Sequence, residues 1–327
     1  MIKFFRQSYA VQYVVLALMV IALWLPSFIA GEVTMGLGEP VTPIFNVIDR
    51  LLRFSPLVQH IVAFLILVLE ALVFNAILVN NQIVGKVSSM GAFVFVLLMS
   101  LTKMQTNFYP FLLSAFFILL AINNLYEMYQ LPNPELHLLK TGIFTALASM
   151  CYFPAIVLVF WVMISLPIAK KSTFRLQLIP ITGFLFAYFL YFSGVFLFGD
   201  FQTMINGYRN WFVDLQLSVE GFNLKNITLL LFVIVSAVLL FFGSGNANFE
   251  KTVAVRTKMT MSVLLVVFGA LLLFLGGNLL YNGLIFFALS IIISYEFSYM
   301  GNTGWANLCL IAFLLLVVAN HYYFKLL

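Results

Sequence analysis

Long apolar segments recur from one end of this sequence to the other, and they constrain its fold more than any other feature. A helix needs roughly 20 consecutive apolar residues to cross the hydrocarbon core of a bilayer. That length is reached near residues 10–30, 56–79, 176–198, 259–275, 281–298 and 304–322, and nearly reached at 227–243. Only 8% of the residues are charged, compared with roughly 25% in soluble domains. The pattern therefore predicts one integral membrane domain over residues 1–327.

Between residues 88 and 168 the apolar runs are shorter. They cover residues 88–102, 110–124, 140–153 and 155–168, and each is too short to cross a bilayer comfortably alone. We expect two short helical hairpins, with the second hinged near Pro154 because proline lacks an amide hydrogen and breaks helices. The alternative is one long kinked helix over residues 140–168.

Basic residues between the apolar runs predict the topology. They form three clusters: Lys3 and Arg6; Lys170, Lys171 and Arg175; and Lys251, Arg256 and Lys258. Because short cytoplasmic loops collect Lys and Arg, all three clusters are expected on the cytoplasmic side. The sequence thus predicts an all-α, polytopic transmembrane helical bundle of about eleven spans, in the inner membrane, with the N-terminus cytoplasmic and the C-terminus outside.

Two segments outside the predicted spans have amphipathic helical patterns. Residues 44–54 carry a narrow polar stripe formed by Asn46, Asp49, Arg50 and Arg53 on an otherwise apolar helix. Residues 201–215 place aromatic and aliphatic side chains at helical spacing, including Trp211, an amphipathic residue suited to the headgroup layer. Both segments are predicted to be external helices that lie along the membrane surface.

The motifs of soluble enzymes are missing from the sequence. It contains no phosphate-binding glycine loop and no nucleophile elbow. The three histidines, His60, His137 and His321, are far apart, and Cys151 and Cys309 fall in separate apolar runs, so no metal site is indicated. No cofactor can be assigned. The basic residues are scattered rather than gathered into one patch, which argues against nucleic acid as a partner.

The first external loop contains the most informative polar residues. Glu32 and Glu39 follow the first span, and Asp49, Arg50 and Arg53 lie on the stripe of the surface helix. Carboxylates here suit a general base, or a ligand for a divalent cation bound to a diphosphate. The arginines suit a clamp on phosphate oxygens. The alternative is a solvated loop whose charges keep it outside the membrane.

Ionisable groups within the apolar runs are a second kind of candidate. Glu70 lies midway along the second span, with Asn75 five residues further on. A carboxyl at this depth is costly when charged, so we expect it to be protonated, paired, or facing a wet cavity. Asn75 and the pair Asn123 and Asn124 are possible partners across helices. For Glu70 a functional role and a packing role stay open; for Asn123, Asn124 and Glu296 interhelical packing is favoured.

Four short motifs in the first half of the chain can be compared with known families. They are Phe4-Phe5-Arg6, Leu23-Trp24-Leu25-Pro26-Ser27-Phe28, Glu70-Ala71-Leu72-Val73-Phe74-Asn75 and Ala148-Ser149-Met150-Cys151-Tyr152-Phe153-Pro154. In these motifs the chain resembles a family of polytopic inner-membrane proteins of Bacteroidota. The resemblance implies a multi-pass protein of the inner membrane.

The order of elements is similar to the membrane domain of GT-C glycosyltransferases, which transfer sugars from polyprenyl-phosphate donors. That resemblance implies that Glu32, Glu39 or Asp49 acts as base or metal ligand, and that Arg50 and Arg53 hold the lipid phosphate. The contiguous pair of acids found in many such enzymes is absent from this sequence.

Three functional hypotheses follow. The first is a GT-C-like protein that binds, or transfers sugar from, a polyprenyl-phosphate-linked donor, with membrane lipids and polyprenyl phosphate as partners. The second is a non-catalytic membrane subunit of an envelope secretion or polysaccharide-assembly complex, with other membrane proteins as partners. The third is a proton-coupled transporter that uses Glu70, although no inverted repeat or broken-helix pair is evident.

Overall fold

All regular structure in the described part of the chain is helical. The computed structural model describes residues 2–7, 10–30, 42–52, 55–85, 88–101, 108–171, 173–199, 201–213, 252–274, 283–300 and 303–319, and no strand occurs within them. The all-α prediction is confirmed for these residues.

Thirteen α-helices occupy these ranges. They are α1 (Ile2–Phe5), α2 (Ala10–Ala30), α3 (Pro43–Leu52), α4 (Pro56–Asn80), α5 (Met90–Met99), α6 (Pro110–Glu127), α7 (Glu135–Cys151), α8 (Leu158–Ile168), α9 (Phe174–Phe198), α10 (Phe201–Val213), α11 (Val253–Phe274), α12 (Gly283–Tyr299) and α13 (Thr303–Ala319). Two short 3₁₀ turns, Met128–Gln130 and Phe153–Val157, follow α6 and α7.

Four of these helices are long and apolar enough to cross a membrane. The qualifying segments are Leu57–Asn80, Pro110–Glu127, Phe174–Leu197 and Val253–Leu272. Shorter apolar segments occur at Val11–Leu25, Met90–Met99, Phe153–Ile168, Gly283–Tyr299 and Gly304–Leu315. This composition is compatible with a membrane protein. The count of about eleven spans stays a prediction, and the expected span at 227–243 lies outside the described residues.

The predicted hinge near Pro154 is confirmed. α7 ends at Cys151, and Pro154 lies in the 3₁₀ turn that separates α7 from α8. After α8, the Lys171 ammonium donates a hydrogen bond of 3.0 Å to the carbonyl of Leu131, just before α7 begins. The end of α8 therefore lies beside the start of α7, so the two helices form a hairpin and the alternative of one long kinked helix is wrong.

Small residues allow α7 and α9 to pack closely. A Cβ added to Gly183 on α9 would lie 2.5 Å from the carbonyl oxygen of Leu139 on α7, and one on Gly142 would collide with the backbone of Pro180. Ser149 on α7 bonds to Tyr188 on α9 at 2.9 Å. The two helices consequently run parallel, and α8, which lies between them in the sequence, runs in the opposite direction. Gly142 and Ser149 on α7 thus lie on the face that packs closely against α9, as small residues allow.

Basic residues from distant parts of the chain gather at one end of the bundle, which we call the basic end. Arg175 at the start of α9 pairs with Glu135 at the start of α7, 3.0 Å away. Lys258, near the start of α11, bonds to Asn81 at the end of α4. Arg6 donates hydrogen bonds to carbonyl oxygens at and just after the end of α12. All of these positions are helix ends that share one side of the fold.

The opposite end, which we call the α3 end, contains α3, α10 and the 3₁₀ turn after α7. The Thr42 hydroxyl donates to the Cys151 carbonyl at 2.8 Å, joining the start of α3 to the end of α7. The rings of Phe153 and Tyr208 lie 5.0 Å apart, joining the turn to α10. The two segments with amphipathic patterns thus form helices at the same end of the bundle; that they lie along a membrane surface stays a prediction.

The orientation of α3 differs from what its polar stripe predicts. Val47 and Leu51 are 60% and 67% exposed, whereas Asp49 is 2% exposed. The stripe was expected to face water, but its carboxylate faces the protein. In apolar surroundings the physical preference reverses, because a carboxylate gains hydrogen bonds by facing its own protein while aliphatic side chains face outward.

Candidate functional site

The residues predicted from the first external loop are described only in part. Glu32, Glu39 and Arg53 lie outside the described residues, and so does the side chain of Arg50. Asp49 is described and lies at the α3 end. The loop site therefore remains a prediction for its other members.

Asp49 is held between two helices. The Gln59 side chain on α4 donates a hydrogen bond of 3.0 Å from Nε2 to Asp49 Oδ1, and both residues are buried. Thr42 accepts a hydrogen bond from the Phe45 amide at 3.4 Å and so caps the start of α3. The Thr42 hydroxyl also donates a hydrogen bond to the Cys151 carbonyl, which anchors this cap to α7. The arrangement ties α3 to α4 and to the end of α7.

A cluster of hydroxyl groups, here called the hydroxyl cluster, lies at the same end and comprises Ser149, Tyr188, Tyr191 and Tyr208. Ser149 donates its proton to the Ala146 carbonyl at 2.8 Å, so in the 2.9 Å contact Tyr188 is the donor to Ser149. Burial raises the pKa of Tyr208, and the nearby Tyr191, Tyr188 and Cys151 raise it further. These groups therefore occupy one low-polarity region between α7, α9 and α10.

Two hydroxyls of the cluster have unused bonding capacity. The phenol oxygens of Tyr191 and Tyr208 are enclosed and interact with each other, but neither has the geometry of a hydrogen bond with any residue that the structure describes. Enclosed polar atoms without partners are uncommon in folded proteins and cost about 1–3 kcal/mol each. Such atoms are suited to donate to oxygen atoms of a ligand. The sequence did not predict this cluster, because its tyrosines occupied apolar helical positions.

Glu70 is buried completely near the middle of α4, with 0% of its surface exposed. Its carboxyl group lies close to the backbone of Phe116 on α6. Neither of its oxygens makes a hydrogen bond within the described ranges, and amides inside a helix already donate to the helix itself. A carboxylate in this position would be an uncompensated buried charge, so the neutral acid is the stable form.

Asn75 does not meet Glu70, contrary to one prediction from the sequence. Its side chain donates to the Ser88 carbonyl at 2.9 Å and to the Tyr13 hydroxyl at 3.3 Å, and it accepts from the Ala92 amide at 3.3 Å. Five residues along a helix turn the side chain by about 140°, which places Asn75 on a different face. Asn75 instead ties α4 to α2 and to the start of α5.

A continuous chain of polar side chains, here called the polar ladder, crosses the basic end. Lys258 Nζ donates to Asn81 Oδ1 at 2.9 Å, and Asn81 Nδ2 donates to Asn123 Oδ1 at 3.3 Å. Asn123 Nδ2 donates to Glu127 Oε1 at 2.9 Å, and the other Glu127 oxygen lies 3.5 Å from His137 Nδ1. The ladder links α11, the end of α4, α6 and α7.

Burial changes along the ladder. Lys258 is 1% exposed, whereas the side chains of His137 and Glu127 are 23% and 43% exposed. The ladder thus leads from a buried cation to a partly solvated acid. The sequence indicated interhelical packing for Asn123, and its bond to Asn81 agrees with that. The sequence placed Lys258 in a cytoplasmic cluster of basic residues. Its burial depends on a hydrogen bond to Asn81, 177 positions away, and no local sequence pattern indicates that contact.

Arg6 occupies a separate position at the basic end. Its guanidinium donates to the Phe297 carbonyl at 2.9 Å and to the Met300 carbonyl at 2.6 Å, and burial lowers its pKa. A cation at a helix C-terminus interacts favourably with the helix dipole. Arg6 therefore attaches the N-terminal segment to the end of α12.

Comparisons of the chain with protein-family models, with curated proteins and with solved structures give no match. Within the described ranges, no three His, Cys, Asp or Glu residues gather as a metal site would require. The described candidates are therefore a buried, oriented carboxylate and enclosed hydroxyls at the α3 end, and buried ionisable groups in the interior.

Proposed function

We propose that the chain is a multi-pass inner-membrane protein that binds a polyprenyl-phosphate-linked ligand at its α3 end, in a GT-C-like arrangement. The N-terminus and the basic end are cytoplasmic, the α3 end is external, and the full chain has about eleven spans. Membrane lipids surround the bundle. In this proposal Arg50 and Arg53 hold the lipid phosphate, and Glu32 and Glu39 supply the base or the metal ligands.

The observation that carries the proposal is the orientation of α3. Its aliphatic residues Val47 and Leu51 are exposed while Asp49 faces inward, as expected for a helix whose outer side contacts lipid tails. A lipid-linked ligand lies with its tail in that same apolar layer and its phosphate at the surface. In the sequence Arg50 and Arg53 are three residues apart, a spacing typical of one helix face, and guanidinium groups suit that phosphate.

The hydroxyl cluster supports a ligand at the same end. Tyr191 and Tyr208 have enclosed, neighbouring hydroxyls without a hydrogen bond of good geometry among the described residues, and the Phe153 ring lies beside Tyr208. Oxygen-rich headgroups accept hydrogen bonds from such donors. Asp49, buried and bound by Gln59, takes a positioning role for α3 in this proposal rather than the role of a base.

The gathering of basic residues supports the proposed sidedness. Arg6, Lys171, Arg175 and Lys258 come from widely separated parts of the sequence yet share the basic end. The positive-inside rule assigns such an end to the cytoplasm. The α3 end then faces the outside, where lipid-linked sugars are presented to external glycosyltransferases of the GT-C type.

A photo-crosslinking experiment tests the ligand. The full chain in liposomes is mixed with a diazirine-bearing polyprenyl phosphate, irradiated and digested, and the modified peptides are identified by mass spectrometry. We expect crosslinks in residues 43–53 and 201–213. The double variant Arg50→Ala/Arg53→Ala is expected to reduce their yield about thirtyfold, because two charged hydrogen-bonding groups of about 1 kcal/mol each are lost.

The matched control removes two positive charges at the other end, in the variant Lys171→Ala/Arg175→Ala. That control is expected to crosslink like the wild type. Equal crosslinking by all three proteins, or crosslinks spread evenly along the lipid-facing helices, would show that the α3 end has no preference for the lipid phosphate.

A further inference from the structure

Glu70 shares one helix interface with the polar ladder. At one level of this interface the Glu70 carboxyl on α4 approaches the backbone of Phe116 on α6. At another level Asn81, just after α4, bonds to Asn123 on α6. α4 and α6 therefore run side by side in the same direction between these two levels. We call this interface the α4–α6 seam.

The helical spacing places Glu70 and Asn81 on one face of α4, and Phe116 and Asn123 on one face of α6. Glu70 and Asn81 are eleven residues apart, and Phe116 and Asn123 are seven, so each pair is displaced by only about 20° around its helix. The eleven residues on α4 span about 16 Å along the axis. The buried side chains Phe74, Leu78 and Leu119 occupy this part of the bundle. The seam is thus an apolar layer, closed at the basic end by the ladder.

Other ionisable groups on the elements that pack against α4 are distant from Glu70. α5 contributes none, and α2 contributes Tyr13, which is bound to Asn75 on another face. α3 contributes Asp49, bound to Gln59 near the start of α4, and Arg50. On α6, Glu127 lies eleven residues beyond Phe116 and Tyr126 bonds to Ser262. On α4 itself, His60 is ten residues away.

We propose that Glu70 is a proton-binding site that exchanges its proton with the basic end through the α4–α6 seam. A carboxyl that is fully buried, unbonded within the described residues and within a membrane-spanning helix is functional by default. Transient separation of Asn81 from Asn123 opens the seam to a chain of water molecules. The proton leaves the carboxyl oxygen for that water, and the reverse step restores the neutral acid when the seam closes.

Carbodiimide labelling of the full chain in liposomes tests the site. Dicyclohexylcarbodiimide takes the acid proton onto one nitrogen while a carboxyl oxygen bonds to its central carbon, and acyl migration then gives a stable N-acylurea. Mass spectrometry of the digested protein reports the adduct at Glu70. We expect labelling that is strong at low pH and declines as the pH rises, and no adduct at position 70 in Glu70→Gln.

Ladder variants test the route. Asn123→Ala and Asn81→Ala loosen the closure of the seam, so each is expected to increase the labelling rate of Glu70 by a water-soluble, charged carbodiimide several-fold. The matched control, Ser100→Ala, removes a buried hydrogen bond between α2 and α5, in which Trp24 Nε1 donates to Ser100 at 3.2 Å. That control is expected to leave the rate unchanged.

Three results would overturn the proposal. They are wild-type Glu70 that fails to react with dicyclohexylcarbodiimide between pH 5 and 9, labelling that does not depend on pH, and equal acceleration by the ladder variants and the control. The first two results are measured on the wild-type protein, so they do not depend on whether any variant folds. Neither reagent involves the α3 end, so the outcome is independent of the proposed lipid site.

Discussion

The two ends of the bundle differ in how completely their polar side chains are hydrogen-bonded. At the basic end the polar ladder connects Lys258 through Asn81 and Asn123 to Glu127 in consecutive bonds. At the α3 end, the enclosed hydroxyls of Tyr191 and Tyr208 interact with each other but have no hydrogen bond of good geometry with the described residues. The bonded part of the ladder, from Lys258 to Glu127, stabilises one arrangement of helices, whereas donors with spare bonding capacity offer bonds to a ligand. The comparison suggests that the basic end holds the fold together and the α3 end binds.

The largest expected effect is at the buried end of the ladder. Asn81→Ala leaves the Lys258 ammonium buried without its hydrogen-bond acceptor, and leaving a buried charge uncompensated costs about 3 kcal/mol or more. Reversible unfolding in mixed detergent measures the loss. Asn80→Ala is the matched control, because Asn80 is the exposed neighbour at the end of the same helix, and its unfolding free energy should stay within about 0.5 kcal/mol of wild type. Equal losses in both variants would contradict a structural ladder.

The Asp49 contact is expected to have the next largest effect. Gln59→Ala removes the donor to the buried Asp49 carboxylate, which should lower the unfolding free energy by about 2 kcal/mol. The double variant Gln59→Ala/Asp49→Asn should recover part of the loss, because a neutral amide costs less to bury than a carboxylate. A loss that the second substitution does not reduce would show that the Asp49 charge is not what Gln59 stabilises.

A matched pair of tyrosines compares the two ends directly. Tyr126 bonds to Ser262 at 2.6 Å near the basic end, so Tyr126→Phe should destabilise the protein by about 1 kcal/mol. Tyr208→Phe removes a hydroxyl that neighbours Tyr191 but has no hydrogen bond of good geometry among the described groups, so the ligand-free protein should keep its stability or gain up to about 1 kcal/mol. Thermal unfolding of both variants measures this difference. Destabilisation by Tyr208→Phe equal to that by Tyr126→Phe would mean that the two hydroxyls are equally bonded.

The smallest effect is expected for the exposed ion pair. Arg175 is 79% exposed and Glu135 is 48% exposed, and pairs of this kind contribute about 0.5 kcal/mol or less. Arg175→Ala should therefore leave the unfolding free energy nearly unchanged. The unfolding free energies of the variant and the wild type should also stay equal when the salt concentration is raised. A loss comparable to that of Asn81→Ala would show that stability at the basic end comes from surface charges rather than from the ladder.

The sequence predicted the elements better than the contacts. Apolar length predicted the long helices because a bilayer sets that length, and Pro154 predicted the break after α7 because proline interrupts helical hydrogen bonding. The amphipathic pattern predicted helices at α3 and α10. It did not predict which side of α3 faces the protein, because the preference of Asp49 depends on whether water or an apolar layer lies outside.

The candidate site was less predictable for a physical reason. Lys258 is buried because Asn81 accepts its hydrogen bond from 177 positions away, and the hydroxyl cluster forms because α7, α9 and α10 converge. Both features depend on contacts between residues far apart in the sequence, so no short segment indicates them. Glu70 was found because a charge within an apolar run is rare, whereas its expected partner Asn75 lies on a different face. The roles of Glu32, Glu39, Arg50 and Arg53 stay predictions.

The opposite placement of the two ends across a membrane is the central claim, and cysteine labelling tests it most directly. In a background with Cys151 and Cys309 replaced by serine, Thr173→Cys reports the accessibility of the basic end, and Gln202→Cys reports the accessibility of α10 at the α3 end. With a membrane-impermeant maleimide, intact cells should label position 202, and position 173 should react only after the inner membrane is permeabilised. Labelling of both positions in intact cells, or of neither, would contradict the account.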